Sequence, residues 1–148
     1  MGGPHGVVPF LTRTVAAAIG AAALACVPAH AAPPAIDYML NCQGCHLADG
    51  SGSAGSVPDL RDNLGRLAAA PGGRAYLVQV PGSRNAPIDD AALAAVLNWM
   101  MDSFSASTRP PDWTPYSPDE VARARAERVV DIPARRAALF EAIGPSAR

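Results

Sequence analysis

Cys42-Gln43-Gly44-Cys45-His46 is the stretch on which the reading turns. Two thiols separated by two residues can each add to a vinyl group of one porphyrin, and the histidine that follows can place an imidazole nitrogen on the iron. A dithiol redox pair needs only the two cysteines, so the adjoining His46 points past it. Zinc needs further Cys, His or carboxylate ligands at workable spacings, and the rest of the chain does not offer them. The stretch therefore predicts one covalently attached haem c, with its iron, per chain.

Upstream, the chain reads as an export signal. Met1 to Arg13 is a short leader, Val15 to Val27 is an alanine-rich apolar run, and Ala29-His30-Ala31 is an A-x-A cleavage site. Residues 1–31 are thus expected to be a removed signal peptide. A retained membrane anchor fits less well, because the run is barely long enough to span and no positive charges follow it. Ala23-Leu24-Ala25 before Cys26 is a poor lipidation signal. The expectation is an exported, periplasmic protein with no stable membrane insertion once the leader is gone. Export and covalent haem agree, since c-type haem is attached outside the cytoplasm.

Cleavage also simplifies the chemistry. His5, His30 and Cys26 leave with the leader, so His46 is the one histidine remaining and Cys42 and Cys45 the two cysteines. Ligation by two histidines of one chain is excluded, and so is a structural disulfide beside the haem. The chain contains no lysine, and loss of Arg13 leaves 11 arginines against 13 acidic residues. No basic field suggests a nucleic-acid partner. The remaining 117 residues make a thin core for their size. A covalent haem would supply apolar volume that the chain lacks.

Downstream, Ile36 to Asn41 reads as one or two helical turns leading into the motif. Met39 lies on the segment that delivers His46, so it is read as packing rather than as a ligand. Gly50, Gly52 and Gly55 crowd the loop after the motif. They lack the Lys-Ser/Thr of a phosphate loop, and close backbone approach to a porphyrin edge is the better account. In small haem proteins an X-Pro such as Val57-Pro58 can turn a carbonyl toward the proximal imidazole, which makes Pro58 a candidate to orient His46. Asp62 to Ala70 reads as a short helix ended by Pro71-Gly72-Gly73. Arg74 to Val80 is ambiguous between helix and strand, and Pro81 to Pro87 reads as a loop. Ala91 to Met101 is the most helical segment, with Leu93, Val96, Leu97, Met100 and Met101 at three- and four-residue spacing and Asp89 or Asp90 as cap. Beyond Asp102 the chain is rich in proline and aromatics. Ser117-Pro118-Asp119-Glu120 is a helix start in which Ser117 caps and Glu120 completes a capping box, with a helix expected to about Val130. Ala134 to Ile143 reads as a last helix.

On these residues the mature chain resembles small class I c-type cytochromes. The likeness rests on the leader, on Cys42-Gln43-Gly44-Cys45-His46-Leu47-Ala48-Asp49-Gly50 and on the helix from Asp89 to Met101. It implies an all-α fold in which the motif helix crosses a later helix near the haem. Residues 32–103 would form the haem domain and residues 104–148 a C-terminal helical arm packed on it. The likeness gives Cys42 and Cys45 the attachment role and His46 the proximal one, and makes Trp99 the aromatic of the crossing helix. It also implies a distal methionine in the loop before that helix, but Pro81 to Pro87 contains none. Met101 and Met100 are then the candidate iron ligands, with water, an open site or another residue of the loop as the alternatives. Arg84 is a candidate to pair with a haem propionate or an acidic partner. Tyr76 and Trp99 are candidate hydrogen-bond donors to propionates.

A single haem, without a free histidine or an evident carboxylate pair for acid–base work, predicts an electron carrier rather than an enzyme. Its expected partners are redox proteins: a donor such as a periplasmic dehydrogenase, which small cytochromes of this form resemble accompanying, and a cytochrome or oxidase as acceptor. The arm is a candidate surface for stable membership of a complex. The missing loop methionine motivates the alternative of a haem-based ligand-binding or sensor protein with an open distal site.

Overall fold

The computed structural model describes residues 1–3, 32–127 and 131–144. The signal-peptide reading of residues 4–31 and the expected end of a helix near Val130 lie outside them. The described residues form seven α-helices and one 3₁₀ turn, and the fold is all-α. The helices are α1 (Pro34–Asn41), α2 (Asn63–Ala69), α3 (Gly73–Gln79), α4 (Pro81–Asn85), α5 (Asp90–Phe104), α6 (Pro118–Ala126) and α7 (Ile132–Ile143), with the 3₁₀ turn at Ala106–Thr108 between α5 and α6. No described helix is long and apolar enough to cross a membrane.

α5 is the spine. Asp89 accepts the Ala92 N–H at 2.7 Å and caps it. Leu93, Val96, Leu97, Met100 and Met101 form a buried stripe at helical spacing. Each such side chain contributes about 1.5–3 kcal/mol on burial. α1 packs across α5, where Tyr38, Trp99 and Phe104 form an aromatic triad with centroids 5.2–5.3 Å apart. The Tyr38 hydroxyl donates to the Leu47 carbonyl at 2.6 Å, which fixes the chain just past His46.

The glycine-rich loop departs from its expected role. Gly50, at φ +79°, lies so close to Phe104 that an added Cβ would stand 2.7 Å from the ring, and a Cβ on Gly52 would stand 2.1 Å from the Val57 carbonyl oxygen. These glycines make room for protein and not for a bound group. Ser56, Val57 and Pro58 line the cavity instead.

Two further readings change. The ambiguous segment from Arg74 is helix α3, with Tyr76, Leu77 and Val78 buried. Most of the expected loop from Pro81 is helix α4, because Pro81 stands at its start with φ already helical and the Arg84 N–H reaches the Val80 carbonyl at 2.9 Å.

The arm shares the core. Tyr116, Val121, Ala124 and Leu139 are buried with the residues of α2, α3 and α5. α6 packs on α3 and α5, and α7 on α2 and α3. Ser117 caps α6 by accepting the Glu120 N–H at 3.2 Å. The Glu120 carboxylate does not close a capping box. It takes the Arg74 fork through Nε and Nη2, each at 2.7 Å, because a bidentate ion pair is stronger than one bond to an exposed backbone N–H. The same guanidinium lies over the rings of Trp113 and Tyr116. Asn98 of α5 meets the backbone of Tyr116 twice, donating to its carbonyl at 3.1 Å and accepting its N–H at 2.7 Å.

Candidate functional site

His46 follows directly from α1. The Cys42 N–H bonds to the Tyr38 carbonyl and ends the helix, and the Cys45 and His46 N–H groups both return to the Cys42 carbonyl. This tight turn brings Cys42, Cys45 and His46 to the wall of one cavity of about 270 Å³. Leu60, Leu64, Leu67, Leu77, Val80 and Leu97 give that cavity an apolar lining. Met100 from α5, Pro81-Gly82-Ser83 from α4, and Arg136 and Phe140 from α7 complete its walls.

Burial holds the His46 imidazole below its ordinary pKa, against the upward pull of the Pro58 backbone and the Asp59 carboxylate; the Arg136 guanidinium adds to the lowering. The ring is therefore poised neutral, the form that ligates a metal. His46 Nδ1 is buried with no hydrogen-bond partner of regular geometry. The Pro58 backbone is the neighbour that favours a proton on the ring. A buried imidazole nitrogen left unmatched is costly, and a metal on one ring nitrogen with the Pro58 carbonyl at the other would satisfy the imidazole.

The surroundings of Cys42 do not activate its thiol for exchange. Burial first, then the Asp37 and Cys45 charges, pushes the Cys42 thiol up to about 11. Exchange-active pairs carry a lowered thiol. Among the described residues no three of His, Cys, Asp and Glu converge as a protein-built metal cage needs. A planar group that brings its own equatorial donors, two attachment points for thiols and much apolar surface fits this donor set.

The remaining candidates are dispersed. Pro58 and Tyr76 line the cavity. Trp99 lies in the aromatic triad and outside the lining. Arg84 donates to the Glu127 carbonyl at 2.6 Å and faces the arm. Met101 is 1% exposed in the core and is not part of the cavity wall, whereas Met100 is. Met39 is half exposed on α1.

Arg136 was not singled out from the sequence. A signal was present: Arg136, Leu139, Phe140 and Ile143 share one helical face, so the arginine lies in line with the apolar residues that bury α7.

No family model matches the chain. Two curated relatives, both cytochrome c-552 of Thermus thermophilus, are 28% identical over 106 aligned residues. The alignments cover 60% of this chain and 81% and 72% of the two relatives. This distant similarity supports a c-type cytochrome.

Proposed function

We propose that the chain is an exported, periplasmic mono-haem c-type cytochrome that carries single electrons from a redox enzyme to a downstream acceptor. One observation carries the reading: both cysteines and the neutral-poised His46 line a single apolar cavity. Haem c bound there supplies an iron that alternates between Fe(III) and Fe(II). Cys42 and Cys45 would hold it by thioether bonds, and His46 would supply a nitrogen to the iron, steered by the Pro58 carbonyl. Met100 rather than Met101 would supply the second protein ligand, because Met100 lines the cavity. A thioether sulfur favours the ferrous state and a high potential. Leu64 and Leu67 of α2, Leu77 of α3 and Leu97 of α5 would shield a group bound in the cavity from water.

Donor and acceptor are proposed as a dehydrogenase and a second cytochrome or oxidase of the same compartment. The test is to purify the exported chain, establish covalent haem under denaturing conditions, and follow its reduction and reoxidation by candidate partners. A chain that matures without covalent haem, or a haem that never exchanges electrons reversibly, overturns the reading. The alternative, a ligand-binding or sensor haem with an open distal site, rests on α4. There the chain presents Pro81, Gly82 and Ser83 to the cavity, and none of these is a strong iron ligand.

A further inference from the structure

We propose that Arg136, carried into the cavity by α7 and braced by the Tyr76 hydroxyl, receives a propionate of the bound haem, so that the C-terminal arm is part of the haem site. This rests on the haem reading above and adds to it which charged group the arm supplies.

Arg136 and Tyr76 both line the cavity that holds Cys42, Cys45 and His46. Arg136 Nε donates to the Tyr76 oxygen at 2.9 Å. Tyr76 is 2% exposed and cannot swing away. Its oxygen accepts from the arginine, so its own proton stays available to a second acceptor. Among the described residues no carboxylate lies within ion-pair distance of Arg136, and its two terminal nitrogens have no partner. The other described arginines near the site are already engaged. Arg61 holds Asp59 and Asp49, Arg66 reaches the Ile143 and Gly144 carbonyls, and Arg84 reaches the Glu127 carbonyl. Arg125 takes Asp90. Asp59 is the one acidic side chain in the lining, and Arg61 occupies it at 2.6 Å.

A half-buried guanidinium against an apolar wall is unfavourable without an anion. Its free edge presents the parallel N–H pair that matches a carboxylate. A porphyrin seated by the two cysteines carries two propionates and no other anionic group. A cation at a propionate keeps that carboxylate ionised and offsets its charge, which favours the reduced iron. α7 is placed for this by Leu139 in the core and by the Arg66 bonds to its last carbonyls.

The test compares holoproteins with covalent haem: the parent, Arg136→Gln, Arg136→Lys, Tyr76→Phe and, as control, Arg135→Gln. Arg135 is exposed, and among the described residues its side chain donates to the Gly72 carbonyl. Midpoint potentials are measured as a function of pH, with spectra to confirm unchanged iron ligation. Arg136→Gln is expected to lower the potential and to introduce a pH-dependent segment, in which the potential falls as the released propionate ionises. Arg136→Lys should lie between that variant and the parent. Tyr76→Phe should shift in the same direction by less, and it provides the test if the glutamine variant does not accumulate. Arg135→Gln should match the parent. A haem-loaded parent whose Arg136→Gln and Tyr76→Phe variants keep its potential and pH profile overturns the assignment alone. A parent without covalent haem overturns the assignment and the haem reading together.

Discussion

Tyr38 shows how one residue ties the motif to the fold. Its ring is buried between Trp99 and Phe104, and its hydroxyl holds the carbonyl of the residue after His46. Burial, with smaller contributions from the Cys42 and Asp49 charges, pushes its pKa from 10.0 up to about 12. The folded state therefore keeps the phenolic proton in a range where the unfolded chain loses it. That stabilisation is complete below pH 10 and is lost as the pH rises toward 12. The thioether proposed at Cys42 would remove that thiolate's contribution but leave the burial. Alkaline unfolding followed by circular dichroism should steepen over this interval. Tyr38→Phe should flatten it while losing about 0.5–1.5 kcal/mol at neutral pH with the hydroxyl bond. At the same scale, the sequence points to His46 and its two cysteines through spacing alone. It puts Met101 ahead of Met100 as the second ligand, whereas Met100 is the one that lines the cavity. Adjacent helical residues point about 100° apart, and which one meets the cavity depends on how α5 is rotated against α1 and α2.

Among the elements, α5 was legible because its apolar stripe, its Asp89 cap and its length all agree. Leu93→Ala should cost about 2–5 kcal/mol, read as a lower denaturant midpoint with an unchanged slope, because Leu93 is a fully buried member of that stripe. α3 and α4 were harder to read. Tyr76-Leu77-Val78 is an apolar run that suits a strand as well as a helix. Pro81-Gly82-Ser83-Arg84-Asn85 has loop composition, and its helical turn is set by Pro81 and by the packing of α4 beside α3. The cap of α6 was readable at Ser117, but the destination of Glu120 was not, because Arg74 lies 46 residues away in sequence.

For the whole molecule, the arm makes the difference between a minimal haem domain and this fold. Glu120→Gln should cost about 1–2 kcal/mol, because it weakens the bidentate bond that joins α6 to α3. Thermal unfolding of the holoprotein is the measurement. A single transition displaced to lower temperature is expected, since Tyr116, Val121 and Leu139 belong to the same core as Leu93 and Leu97. A separate early transition of the arm would contradict that shared core. The arm's contribution to the site was hidden from the sequence for the same reason. Arg136 becomes a cavity residue only once α7 lies on α2 and α3.

The most direct test is an optical spectrum of the purified holoprotein, oxidised and reduced, with and without carbon monoxide, for the parent and for Met100→Leu and Met101→Leu. The expected parent has covalent haem, low-spin bands, a far-red sulfur-to-iron charge-transfer band and no reaction with carbon monoxide. Met100→Leu should lose that band, and Met101→Leu should keep it. A parent with a high-spin spectrum that shifts readily with carbon monoxide would contradict a six-coordinate carrier and bring the open-site reading forward.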